Sequence, residues 1–231
     1  MIASVGETAK FLLLNTCASE VTIALADTER PEAIVSLARM PGRTASERLV
    51  AAIREAMSEA CWRLQDLSAI GVVTGPGSFT GVRVGLSVAK GLSEAGGMPL
   101  ISISALSMLG AAAGMIEGRV CALLDAGREE FYCGEFLDGL ELGESLLSKT
   151  AGIEAVNRAD VVAVCDAVTV RTFSELESVR MLAEPTAADA LPFVIRRFEA
   201  GDFDDAAALD ANYLRRTDAE IFAKPAAQKL V

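Results

Sequence analysis

Gly75-Pro76-Gly77-Ser78-Phe79-Thr80-Gly81-Val82-Arg83-Val84-Gly85 is the stretch that decides the fold. It follows the apolar run Ala69 to Val73, and after it Val82, Leu86, Ala89 and Leu92 recur at helical spacing. The stretch therefore reads as a tight turn from a buried strand into a helix. Pro76 fixes its own φ, the glycines on either side supply unusual dihedrals, and Ser78 or Thr80 is placed to cap the helix.

Free N–H groups at a helix start attract phosphate or carboxylate, so three phosphate-loop and nucleophile patterns need testing by spacing. A Walker A loop needs Gly-Lys-Ser/Thr, but Val82 and Arg83 follow Gly81. A dinucleotide fingerprint needs glycine where Thr80 stands, and a nucleophile elbow needs glycines at the places of Pro76 and Thr80. All three fail, which leaves a packing turn. Gly81, Gly85 and Ala89 lie four apart, so one stripe of the helix is nearly bare and another helix can approach it, from the same domain or from outside.

At 231 residues, 52% of them apolar, the chain has enough material for one large or two small cores. Its longest apolar runs, such as Phe11 to Leu14, are too short to span a membrane, and Met1 to Lys10 lacks the form of a secretion signal, so the expected compartment is the cytoplasm. Lys and Arg number 21 against 32 Asp and Glu, a net charge of −11, and no basic cluster is visible. A chain that grips nucleic acid alone needs such a cluster. The absence of histidine removes Ser-His-Asp and Cys-His catalysis and imidazole-ligated zinc. The five cysteines are scattered and form no C-x-x-C pair, so they read as small buried hydrophobes.

Outward from the turn, Phe11 to Leu14, Asn15 to Ser19 and Val21 to Leu25 read as a hairpin. Pro41-Gly42 is a break, and Thr44-x-x-Glu47 has the form of a capping box for a helix whose Leu49, Ile53, Met57, Ala60 and Leu64 share a face. Gly96-Gly97 ends the helix after the turn, Leu100 to Ile103 is a strand, and Ser104 caps a helix to about Ala113. Strands follow at Val120 to Leu124, Phe131 to Leu137, on to Leu147, Val161 to Cys165 and Val179 to Leu182. A last helix runs from Pro185 to Ala200, stopped by Gly201.

The run from Gly75 to Gly85, continuing as Leu86 to Leu92, resembles the signature of the TsaB (YeaZ) family. Two further stretches resemble its motifs: Asp125 to Tyr132, with departures at Gly127 and Glu129, and Asp210 to Arg216, with Ala211 in place of the usual proline. The resemblance implies an α/β fold of the actin-like (ASKHA, ribonuclease H-like) two-lobe kind. Residues 1–103 would form the first lobe, 104–216 the second and 217–231 a poorly ordered tail.

It implies a non-catalytic dimerization subunit for threonylcarbamoylation of tRNA adenosine beside the anticodon, in tRNAs that read codons beginning with A. Such a subunit binds a TsaD-like catalytic homologue together with a TsaE-like ATPase, forms homodimers when alone, and meets tRNA only through the complex. No cofactor is expected on the chain alone, with ATP and magnesium belonging to the assembled complex. Leu49, Ile53, Met57, Gly81, Val82, Gly85, Leu86 and Ala89 are the implied partner-facing residues. Asn15, Thr16, Gly77, Ser78 and Asp125 are the candidate nucleotide or phosphate contacts, and no catalytic or metal-ligating residue is assigned.

Where actin-like phosphotransferases carry Asp in the first hairpin this chain has Asn15, a weaker magnesium ligand that cannot act as a base. Thr44 stands where the family often has histidine. An ATPase or kinase using Asp125 is the rival reading, and a peptidase a weaker one.

Overall fold

The computed structural model describes residues 8–114, 117–173 and 178–214. The expected tail, together with Arg215 and Arg216 of the closing motif, lies outside the described residues.

Strands β1 (Lys10–Asn15), β2 (Glu20–Asp27) and β3 (Ile34–Pro41) form an antiparallel meander. After helix α1 (Ala45–Glu59), β4 (Ala69–Val73) pairs parallel to β1. Helix α2 (Phe79–Gly96) then leads to β5 (Leu100–Ile103), parallel to β4, giving the order β3-β2-β1-β4-β5. β1, β2 and β4 are buried almost throughout. Their near-continuous apolar runs follow from cover on both faces of the sheet.

Helix α3 (Ala105–Ala112), capped by Ser104, carries the chain to a second sheet that repeats the pattern. β6 (Arg119–Gly127), β7 (Glu130–Leu137) and β8 (Leu140–Ser148) form an antiparallel meander. Helix α4 (Lys149–Asn157), parallel strand β9 (Val161–Val164), helix α5 (Ala167–Phe173) and parallel strand β10 (Val179–Met181) follow. The order β8-β7-β6-β9-β10 matches that of the first sheet element for element. Two copies of one five-strand unit make the actin-like two-lobe fold.

The second lobe is shorter than expected, because the chain from Thr186 onward returns to the first. Ala187, Ala190, Leu191 and Val194 share a buried cluster with Phe11, Leu13 and Ile101. Helix α6 (Leu191–Glu199) seats Val194 where a Cβ on Gly71 would lie 2.6 Å from its methyl. Beyond α6, Asp204 bridges to Leu100, and the Asn212 N–H donates to the Thr74 carbonyl at 2.8 Å.

Two local readings change. Thr44 precedes α1 without capping it through its side chain, since its hydroxyl donates to the Pro41 carbonyl at 2.8 Å. The larger correction concerns the residues expected to face a partner: Leu49, Ile53, Met57, Gly81, Val82, Gly85, Leu86 and Ala89 are all buried within the chain. The bare stripe of α2 is filled by Thr16 of the first hairpin. A Cβ on Gly81 would lie 2.0 Å from the Thr16 carbonyl oxygen, and one on Gly85 2.1 Å from its hydroxyl. The small residues admit the chain's own turn.

Glu144 of β8 ties the lobes by accepting from the Ser104 hydroxyl and the Asn212 amide. Burial pushes its carboxyl above the ordinary range, against the opposing pull of those two hydrogen bonds. Because the value is raised in the folded chain, the favourable contribution is complete at pH below the unfolded value and is lost as pH rises through the folded one. Glu144→Gln keeps an acceptor and removes the charge, so its thermal midpoint at pH 7 should exceed that of the native chain. The advantage should fade toward pH ~4, where the carboxyl is protonated in both states. Melting curves across that range check it.

Candidate functional site

A cleft of about 310 Å³ opens between the lobes. Asn15, Gly77 and Ser78 line it from the first lobe, Met108 and Leu109 from α3, and Asp125, Asp166 and Glu184 from beyond α3. Four of the five candidate phosphate contacts therefore meet in one place. Thr16, the fifth, is not among the lining residues: its hydroxyl donates to the Gly81 carbonyl at 2.7 Å.

The glycine turn is locked onto the first hairpin. The Ser78 N–H donates to the Cys17 carbonyl at 2.9 Å, and a Cβ on Gly77 would lie 2.4 Å from that same oxygen. The Ser78 hydroxyl accepts from the Gly81 N–H at 3.2 Å, the expected cap. Gly75, at φ +101°, makes the reversal that brings the turn over the cleft.

The polar groups of the cleft are largely committed to the chain itself. The Asn15 amide donates to the Pro185 carbonyl at 2.9 Å, and its oxygen accepts from the Cys17 N–H at 3.2 Å. Asp125 accepts from the Gly127 N–H at 2.8 Å, a turn role, beside the irregularity where β6 pairs with β7. Asp166, whose place just before α5 marks it as a cap, accepts from the Thr169 N–H at 2.7 Å and from its hydroxyl at 2.6 Å. Glu184 accepts from the Ser19 N–H at 2.9 Å and from its hydroxyl, which joins the lobes across the mouth. Sequence reasoning singled out neither Asp166 nor Glu184. The strand-end position of Asp166, equivalent to that of Asp125 in the parallel neighbour, was an available signal, whereas nothing local marks Glu184.

Every charged side chain lining the cleft is a carboxylate. Burial pushes the thiols of Cys17 and Cys165 up to about 12, and the charge of Glu184 adds to both shifts. A negative field of this kind opposes the phosphates of a nucleotide. Among the described residues no three of His, Cys, Asp and Glu are placed to share a metal ion.

Helices α1 and α2 present a different surface outward. Phe79, Arg83, Ser87 and Gly91 lie four apart along α2 and are all exposed, with Val84 and Val88 half-buried beside them. Among the described residues a Cβ on Gly91 would meet nothing within 4 Å. On α1 the apolar Val50 is 60% exposed. At the start of the α2 ridge the Arg83 guanidinium sits 3.8 Å from the Phe79 ring centroid and 5.6 Å from that of Tyr213. Its Nε donates to the Tyr213 hydroxyl at 2.7 Å. No helix among the described residues is long and apolar enough to cross a membrane.

A family model described as TsaD, tRNA N6-adenosine threonylcarbamoyltransferase, matches residues 39–171. The chain is 29% identical over 210 residues to a Mycobacterium tuberculosis protein described as uncharacterized, covering 90% of this chain and 93% of that one. It is 35% identical over 97 residues to the tRNA threonylcarbamoyladenosine biosynthesis protein TsaB of Bacillus subtilis, covering 41% and 42% of the two chains. Among solved structures, YeaZ from Pseudomonas aeruginosa shares the fold with a TM-score of 0.69 at 24% identity, over 89% of this chain and 100% of that one.

Proposed function

This chain belongs to the TsaD family of the matching model and, within it, to the TsaB/YeaZ members, and from that premise we propose that it serves N6-threonylcarbamoyladenosine formation in tRNA as a non-catalytic subunit. It holds a TsaD-like catalytic partner on the outward face of α1 and α2, and a TsaE-like ATPase joins the assembly. Without that partner a second copy occupies the same face. ATP and magnesium are bound by the assembled complex, and the partner contributes the tRNA grip that a chain of net charge −11 lacks.

The observation that carries this reading is the asymmetry of α2. Its inward stripe is used up by Thr16, while its outward ridge ends in Ser87 and Gly91 with none of the described residues over Gly91. Glycine inside a helix costs about 0.5–1 kcal/mol relative to alanine. An external helix that approaches closely at Gly91 gives that cost a purpose.

Ser87→Arg tests the face. The substitution sits on the exposed ridge, so the chain should fold with an unchanged thermal midpoint, yet fail to co-elute with the purified TsaD-family subunit of the same organism. Undiminished co-elution assigns the partner to another surface. Steady ATP hydrolysis by the isolated chain, abolished in Asp125→Ala, would instead favour the ATPase reading, for which the position of Asp125 at the cleft is the supporting feature.

A further inference from the structure

We infer that Arg83, stacked on Phe79 and Tyr213, is the specificity anchor of the partner face and receives a carboxylate from the TsaD-like subunit; the inference rests on the reading just given. Phe79 is 47% exposed, a large ring left in solvent at the end of the same ridge that carries Ser87 and Gly91. The guanidinium lies 3.8 Å from its centroid, and the Tyr213 hydroxyl takes the Nε–H at 2.7 Å. Phe79 and Tyr213 also touch each other, with centroids 5.7 Å apart. Arginine is thus held rigid from two sides, which lowers the ordering cost of any bond its remaining groups make.

Those remaining groups are the point of the arrangement. Four terminal N–H donors of Arg83 meet no protein acceptor among the described residues, in a chain with 32 Asp and Glu. Several other arginines here are paired with carboxylates, among them Arg197 with Asp202 and Asp204, Arg119 with Glu135, and Arg63 with Asp66. Arg83 instead sits on aromatic rings, with its planar donor fork paired to no acid among the described residues. An arginine clustered with two aromatic residues has the composition of an interface hot spot. A planar fork on such a platform suits a two-oxygen acceptor, and a carboxylate approaching alongside α2 supplies one. Tyr213 is a positioning residue in this scheme, since it acts through Arg83.

The test measures affinity between the full-length chain and the purified TsaD-family subunit at two salt concentrations, with thermal midpoints recorded for every variant. Ser87→Arg, one turn along the same ridge from Arg83 and outside the aromatic stack, serves as the control for the face itself. Arg83→Ala should weaken binding about 30-fold or more, the hot-spot threshold, with the salt dependence of association reduced. Arg83→Lys should fall between Arg83→Ala and the native chain, because charge survives while the stack and the fork are lost. It also stands in for Arg83→Ala if that variant does not fold. Tyr213→Phe should raise the dissociation rate severalfold and leave the salt dependence of association in place.

If Ser87→Arg abolishes binding while Arg83→Ala stays within about 3-fold of native, the face is right and the anchor is overturned. That result also covers the case in which Arg83 meets a nucleotide or tRNA phosphate. Native affinity in Arg83→Lys means that charge alone suffices, and this too overturns the stacked anchor. Native affinity in both Ser87→Arg and Arg83→Ala overturns the face, and the anchor with it.

Discussion

Gly81→Ala is expected to destabilise the chain by about 2 kcal/mol or more, while Gly91→Ala, ten residues along the same helix, stabilises it by about 0.5–1 kcal/mol. Intrinsic propensity favours alanine at both positions. The difference lies in what each Cβ would meet: the Thr16 carbonyl oxygen at 2.0 Å for Gly81, and nothing within 4 Å for Gly91. Thr16 cannot step aside cheaply. It is buried, its hydroxyl donates to the Gly81 carbonyl at 2.7 Å, and the next residue, Cys17, accepts from the Ser78 N–H at 2.9 Å. To make room, either the hairpin turn must leave the helix or the helix must lift from β1 and β4. Overpacking of this kind outweighs a propensity gain of about 1 kcal/mol. Urea unfolding of both variants measures it, and equal midpoints would mean that the hairpin is not seated on the helix.

Arg197→Met should cost about 2 kcal/mol, an amount that allows for partial solvent screening. The native guanidinium reaches Asp202 at 2.8 Å, Asp204 at 3.1 Å and the Ser102 carbonyl at 3.0 Å, with 21% of the side chain exposed. It thereby fastens α6 and the segment after it to β5. Methionine retains the apolar stem but leaves the Asp204 carboxylate with only the Ser102 N–H, at 2.6 Å, among these partners. Removing one member of a part-buried ion pair is costly mainly for the group left behind. Since the Arg197–Asp204 pair is largely sheltered, while Asp202 is 61% exposed, 1 M salt should narrow the difference only in part. Chemical denaturation with and without salt tests both statements.

Elements with strong local chemistry were legible in the sequence. The strand Leu100–Ile103, the cap at Ser104 and the left-handed stop at Gly97 stand where composition placed them. The meander strand β3 was missed, since Ile34–Pro41 alternates between half-buried and exposed positions at the sheet edge and carries little apolar signal. α4 was missed as well: Lys149–Asn157 has a weak apolar face, and its place is set by packing under Phe131 and Phe173.

The inward turn of the small-residue stripe was beyond the sequence for a physical reason. Spacing tells which residues share a side of α2, but it does not tell whether that side meets a neighbouring chain or a hairpin from 65 residues earlier. The cleft divides the same way. Asn15, Gly77, Ser78 and Asp125 were findable from turns and strand ends, whereas the link from Glu184 to Ser19 spans 165 residues.

The return of the chain from Thr186 onward has a consequence for biosynthesis. Phe11, Leu13 and Gly71 are made early, but the side chains that cover them, Leu191 and Val194, leave the ribosome only after the whole second sheet. The second sheet, contiguous in sequence, can close while the first still shows a greasy flank to the nascent-chain environment. The half that is translated first is thus the half that matures last.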